Sequence, residues 1–249
     1  MKNPAGVSIL TLMRIGGIQK CSTIDFPQKL ACVLFTQGCN FRCGFCHNPE
    51  LVEPKQFGNC LAEEEVFAFL EKRRNVLDAV VISGGEPTLQ PDLETWFRRI
   101  RALGFATKLD TNGTRPDILQ ALLQKELLDF VAMDIKHQLQ TAPYESISST
   151  SPSLDAIRKS IQILRTGPVD YEFRTTLVTE IHRREDVLAI AASLRRARQW
   201  TIQSFRPQKT LNPQWQELRP WSAAAMASLK AELAEKFPEL RIRYLGFLN

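Results

Sequence analysis

Leu30-Ala31-Cys32-Val33-Leu34-Phe35, running on into Thr36-Gln37-Gly38-Cys39-Asn40-Phe41-Arg42-Cys43-Gly44-Phe45-Cys46, decides how the rest of the chain is read. The apolar run is β-prone and unbroken, as in a strand buried on both faces, and a Gly- and Cys-rich loop follows it. Working outward, the same grammar recurs. A helix is expected from about Ala62 to Arg74, and a second buried strand covers Asp78 to Ile82, broken by Ser83-Gly84-Gly85-Glu86-Pro87. Phe105 to Leu109 and Asp129 to Ile135 repeat the strand pattern, separated from it and from each other by helices around Asp92 to Leu103 and Ile118 to Lys125. Further strands near Tyr171 to Val178 and Trp200 to Phe205 are each followed by a helix, around Arg184 to Arg198 and Ser222 to Lys236. Alternation of this kind predicts parallel strands joined by right-handed helical crossovers.

About six such β/α units are fewer than a full eight-unit barrel needs, so the expectation is an α/β fold, a partial open (β/α)6 barrel with parallel strands. The organisation expected is a single domain over 1–249, with an N-terminal extension to about residue 18, a core over about 19–210, and a C-terminal helix and strand over about 211–249. The Ser-, Thr-, Gln- and Pro-rich stretch from Gln138 to Ser153 reads as a surface excursion.

Composition narrows the class. The chain has 249 residues, 44% of them hydrophobic, and can bury roughly 70 to 75% of what it exposes unfolded. No apolar stretch approaches the roughly 18 residues that span a bilayer, and no small-residue cleavage site follows the mixed run Val7 to Met13. A cytoplasmic protein is expected. The net charge of +5 is modest, and the clusters Arg98-Arg99-Ile100-Arg101 and Arg195-Arg196-Ala197-Arg198 fall at the ends of helical patterns. Solvated helix faces explain them, and neither a membrane nor a nucleic-acid partner is expected.

Six cysteines are too sparse for a disulfide scaffold in a chain of this length. Three of them, Cys39, Cys43 and Cys46, crowd into one loop. Soft thiolates select zinc, copper(I) or iron–sulfur clusters. Closed zinc needs a fourth ligand, for which His47, adjacent to Cys46, is poorly placed. A cubane held by three cysteines leaves one iron open to a substrate. Cys21, Cys32 and Cys60 lack the spacing of a second cluster and read as buried, inert thiols.

Cys39-x3-Cys43-x2-Cys46 after a first strand, with Gly84-Gly85-Glu86-Pro87 after a second, resembles the radical S-adenosylmethionine (SAM) superfamily. More narrowly, Gln37 through Glu50, preceded by Ser22-Thr23-Ile24-Asp25-Phe26-Pro27, resembles the activases of glycyl radical enzymes, above all those of anaerobic ribonucleoside-triphosphate reductase. The similarity runs from about Gln19 through Arg206. It implies a 4Fe-4S cluster on the three cysteines and SAM on the open iron. It also implies a glycyl radical enzyme as partner, most plainly the anaerobic reductase, and a low-potential flavodoxin or ferredoxin as electron donor.

Residue by residue, the resemblance puts Gly84, Gly85 and Glu86 at the methionyl amino group and Phe45 and His47 at the adenine. Asp134 and Lys136 match an Asp-x-Lys that addresses the ribose or carboxylate, and Arg174 matches a SAM-proximal arginine. Asp110, Thr111 and Asp134 are similar to the ligands of a monovalent cation beside SAM in some activases. Arg206 stands where some activases carry histidine, leaving it general anion contact, and Gln28 stands where related activases have glycine. Phe41 and Phe45 would shield the cluster. Two other readings stay open: radical SAM chemistry on a small molecule such as a modified-purine precursor, and a non-catalytic metal-binding or electron-transfer protein.

Overall fold

The computed structural model describes residues 13–246. The mixed run Val7 to Met13 lies almost wholly outside that range. Eight strands form one sheet in sequential order: β1 (Ile15–Ser22), β2 (Ala31–Thr36), β3 (Ala79–Gly84), β4 (Ala106–Thr111), β5 (Phe130–Asp134), β6 (Asp170–Leu177), β7 (Trp200–Ser204) and β8 (Ile242–Leu245). From β2 to β8 every pairing is parallel. β1 alone runs antiparallel, pairing Ile18 with Leu34. The first and last strands do not meet, so the barrel is partial and open, as the alternation predicted.

Helices α1 (Pro49–Val52), α2 (Glu63–Lys72), α3 (Leu93–Ala102), α4 (Pro116–Gln124), α5 (Thr141–Ser148), α6 (Leu154–Thr166), α7 (Arg184–Ser193) and α8 (Ala223–Lys236) connect the strands. Their apolar stripes, such as Trp96, Phe97 and Ile100 of α3, pack on the outer face of the sheet in the main core. The inner face has a separate, smaller core. Ala31, Val33, Ala79, Val81 and Ala106 leave room there, and Phe26 from the β1–β2 loop fills it against Phe130, ring centroids 5.9 Å apart. Small strand residues therefore make the hole that the loop's aromatic plugs. Burying that ring contributes roughly 1.5–3 kcal/mol.

Three expectations need correction. Residues 15–18, expected in an N-terminal extension, begin β1; its half-exposed, Gly-rich sequence hides an edge strand from an argument built on buried runs. Gln138 to Ser153 is not a surface excursion: it contains α5, whose Tyr144, Ile147 and Ser148 are fully buried. The apolar residues fall one turn apart inside a polar composition, and composition concealed them. Cys21 and Cys60 are exposed, and only Cys32 of the extra thiols is buried. Cys21 sits on the outward side of an edge strand, and Cys60 lies in a loop where its thiol donates to Gln37 Oε1 at 3.3 Å.

Candidate functional site

Parallel strands end together, and the loops after β2, β3, β4 and β5 converge there on one cavity of about 390 Å³. That volume suits a small molecule. Cys39, Cys43 and Cys46 line one wall; Gly84, Gly85 and Glu86 lie beside them; Asp110, Thr111, Asp134, Lys136 and Arg174 form the floor. Phe45 and His47 also reach it. Arg206 does not line it: its side chain is exposed, and it contributes its carbonyl, which accepts from His47 Nε2 at 2.9 Å. The imidazole stacks on Phe205.

The cysteine loop is held by its own backbone and by a segment far along the chain. Arg42 Nη1 donates to the carbonyls of Cys39 and Phe41 at 2.7 and 2.8 Å, curling the loop. The Arg42 amide donates to the Ser148 carbonyl of α5 at 2.7 Å, and Phe41 meets Tyr144 edge-on. On the other side Trp215 covers Gly44 so closely that a Cβ there would lie 2.4 Å from the indole. Phe41 thus packs on Tyr144 and Phe45 on Trp215, ring centroids 6.3 and 6.2 Å apart.

The thiols themselves are under strain of a useful kind. Burial pushes Cys39 up to about 12, with the Glu86 carboxylate adding to the rise, and Cys43 up to about 11 against the opposing pull of Lys136. Cys46 rises for the same first reason. A thiolate is therefore unfavourable here until a metal cation compensates it. Among the described residues no three His, Cys, Asp or Glu side chains gather tightly enough to ligate one metal ion. A cubane asks for something else, one thiolate per iron, with the sulfurs held apart by the cluster's width. The donor set fits a 4Fe-4S cluster and disfavours zinc.

Gly84 and Gly85 are glycines because of their own chain. Gly84 has φ +113°, and a Cβ there would lie 2.3 Å from the Thr36 amide nitrogen; at Gly85 it would lie 2.1 Å from the Gly38 carbonyl oxygen. The segment is thus pressed onto the start of the cysteine loop, with Glu86 N–H donating to Gly38 O at 2.8 Å. The buried Glu86 carboxylate ties the β3 and β4 loops together. Its Oε1 accepts from Thr88 and from Thr111 Oγ1 (2.7 Å), and its Oε2 accepts only from the Asn112 amide (2.7 Å). Oε2 is the carboxylate oxygen with capacity for a further donor.

The floor is a chain of charges. Lys108 Nζ lies 2.8 Å from Asp110 Oδ1, Arg174 Nη1 3.1 Å from Asp110 Oδ2, Arg174 Nε 2.9 Å from Asp134 Oδ1, and Lys136 Nζ 2.8 Å from Asp134 Oδ2. Burial alone would raise both carboxyls, but Arg174 outweighs it, with Lys108 at Asp110 and Lys136 at Asp134, and both are held below the usual range. Burial would likewise lower Lys136 and Arg174; their acids reverse this and keep them charged. Lys136 Nζ also stands 5.5 Å from the Phe45 ring, joining floor to cysteine loop.

Asp25, Ser83, Asn112, Thr176 and Gln203 line the cavity as well, and Lys108 underlies it. Nothing in their local patterns marked them, except that Ser22 to Pro27 belongs to the stretch resembling activases. Lys108 could have been noticed as a long basic side chain in the middle of a short strand.

Residues 33–179 match the radical SAM superfamily. The chain belongs to that superfamily, whose enzymes work with a 4Fe-4S cluster and SAM. It is 34% identical over 209 residues to the "Putative glycyl-radical enzyme activating enzyme MJ1227" of Methanocaldococcus jannaschii, covering 82% of this chain and 85% of that one. It is also 34% identical over 152 residues to the pyruvate formate-lyase-activating enzyme of Listeria monocytogenes, covering 57% of this chain and 59% of that enzyme. In fold it is similar to Streptococcus suis SuiB bound to S-adenosylmethionine, with TM-score 0.64 and 14% identity over 84% of this chain and 48% of that one. Escherichia coli QueE aligns over 93% of both chains with TM-score 0.52 and 15% identity. Among the described residues no helix is long and apolar enough to cross a membrane.

Proposed function

We propose that this chain is an activase that installs a glycyl radical on a partner enzyme, and that the partner is an anaerobic ribonucleoside-triphosphate reductase. The observation that carries the reading is that both segments resembling activases meet at one cavity: Asp25, from Ser22 to Pro27, lines it together with the three cysteines of Gln37 to Glu50. The relative from M. jannaschii supports the activase class. The choice of reductase rests on the likeness of those two segments.

With a 4Fe-4S cluster and SAM bound, the site would supply one-electron reductive cleavage of the sulfonium and, through it, removal of a hydrogen atom from a glycine Cα. This chain's residues do the holding. Cys39, Cys43 and Cys46 would hold the cluster. Glu86 Oε2 and the Gly84-Gly85 backbone would receive the ammonium of SAM, while Lys136, oriented by Asp134, would answer its carboxylate or ribose. Phe45 and His47 flank the adenine, and Arg174 fixes both acids of the floor. Arg206 holds His47 through its carbonyl instead of meeting SAM. Phe41, Tyr144 and Trp215 keep water from the loop. A low-potential flavodoxin or ferredoxin supplies the electron.

The test is anaerobic incubation of the reduced protein with SAM and either the reductase or pyruvate formate-lyase, read by electron paramagnetic resonance. A glycine-centred signal on the reductase alone is expected. A signal on pyruvate formate-lyase alone would reassign the partner, and none on any glycyl radical enzyme would overturn the activase reading.

A further inference from the structure

The resemblance to activases implies a monovalent cation on Asp110, Thr111 and Asp134, and the residues present do not fit one. Hard cations need free oxygens. Asp110 Oδ2 accepts from Arg174 Nη1 and Ser83 Oγ, each at 3.1 Å, and Asp134 gives one oxygen to Arg174 and the other to Lys136. The Thr111 hydroxyl is committed to Glu86 and accepts from the Gly113 amide at 3.1 Å. Only Asp110 Oδ1 lacks an aligned hydrogen-bond donor, and Lys108 Nζ sits 2.8 Å from it.

Lys108 is itself buried, 1% exposed, on the inner face of β4. Its ammonium donates to the Asp25 carbonyl at 2.6 Å. A carbonyl oxygen and a carboxylate oxygen are what a potassium or sodium ion would gather, and an ammonium is close to potassium in size. The charge count agrees. Asp110 and Asp134 face three cations, Lys108, Lys136 and Arg174, so the cluster is already net positive. A further free cation placed among them would meet net repulsion.

We propose that the Lys108 ammonium is this site's cation, tethered to β4 in place of a free metal ion, so that the chain binds SAM without any requirement for potassium or sodium. The proposal rests on the reading that SAM lies over Asp134 and Lys136. Lys108 is a positioning residue: it neutralises Asp110, which aligns Arg174 and through it Asp134, and it ties the Asp25 loop to the same point.

The experiment uses cluster-loaded protein, anaerobically, in choline, sodium and potassium chloride at equal ionic strength, with SAM affinity as one readout. The melting temperature of cluster-free protein in the same salts is the second, and it needs neither SAM nor turnover. Parent protein is expected to bind SAM equally in all three salts, within about twofold, and to melt alike. Lys108→Ala is expected to lose SAM affinity by roughly tenfold in choline, to regain much of it in potassium or sodium, and to melt higher in those salts. Parent protein that binds SAM or melts in a potassium- or sodium-dependent way would overturn the proposal, and does so even if the variant fails to fold. Absence of SAM binding in every salt would instead sink the site reading, while the melts still decide whether a free cation binds.

Discussion

The two walls of the cavity solve opposite problems. On the cysteine side, burial makes each thiolate unfavourable and no protein cation is close enough to cancel the cost; Cys39 and Cys43 are pushed to about 12 and about 11. On the floor, five charges, Lys108 and Asp110 buried and Asp134, Lys136 and Arg174 half-buried, already satisfy one another within about 3 Å. One wall is finished by its cofactor and the other is finished in advance. Preorganisation of this kind lets the floor orient a ligand without rearranging, because its dipoles and charges are fixed before the ligand arrives.

The contrast can be broken at either wall. The largest effect is expected from Cys46→Ala, which should leave the protein unable to retain iron and sulfide after anaerobic reconstitution, measured by metal analysis and visible absorption. Its cluster-free stability should scarcely change. Retained cluster in the variant would show that a fourth ligand had been overlooked.

Asp134→Ala should do the reverse. It strands Lys136 and Arg174, each 16% exposed in its side chain, without one of their acids. Breaking a buried pair costs about 3–5 kcal/mol, read as a lower urea midpoint of cluster-free protein. A loss below about 1 kcal/mol would mean that water screens the floor more than its burial implies.

Acidity separates the walls as well. Folded Cys39 and Cys43 ionise above the ordinary value of 9.0, so between pH 9 and about 11 the unfolded chain loses protons that the folded one keeps. Stability of cluster-free protein should therefore fall as pH rises through that window, by roughly 1.4 kcal/mol for each thiol at pH 10. Cluster-loaded protein, its thiols already ionised, should lack that slope. On the acid side His182, buried and lowered to about 4, withdraws stability as pH falls from 6.5.

The smallest effect tests a departure noted in the sequence. Gln28 has φ 60°, a left-handed conformation that glycine adopts freely and glutamine does not. In backbone terms the position suits glycine. Gln28→Gly should raise stability by roughly 0.5–1 kcal/mol in chemical denaturation, and a decrease would mean that Gln28 makes contacts worth more than its strain.

Much of the molecule was legible from sequence because its signals were local. Buried parallel strands read as continuous apolar runs, and the three thiols, the glycine pair and Asp134-x-Lys136 all fall at strand ends, where open α/β sheets place their ligands. What stayed hidden depends on distance. Tyr144 supports Phe41 and accepts from the Lys136 amide at 3.2 Å, from a stretch that composition alone makes a loop. Lys108 meets Asp25 across 83 positions of sequence, and Trp215 covers Gly44 from the far side of β7. The antiparallel β1 escaped because an edge strand exposed on one side carries no run to read.

The central claim is that the cysteine wall and the charged floor together cleave SAM. Its most direct test is 5'-deoxyadenosine formation by anaerobically reconstituted, dithionite-reduced protein beside a Cys43→Ala variant, with and without the partner reductase. The account predicts product from the parent and none from the variant. No product from an iron-loaded parent, even with the partner present, would contradict it.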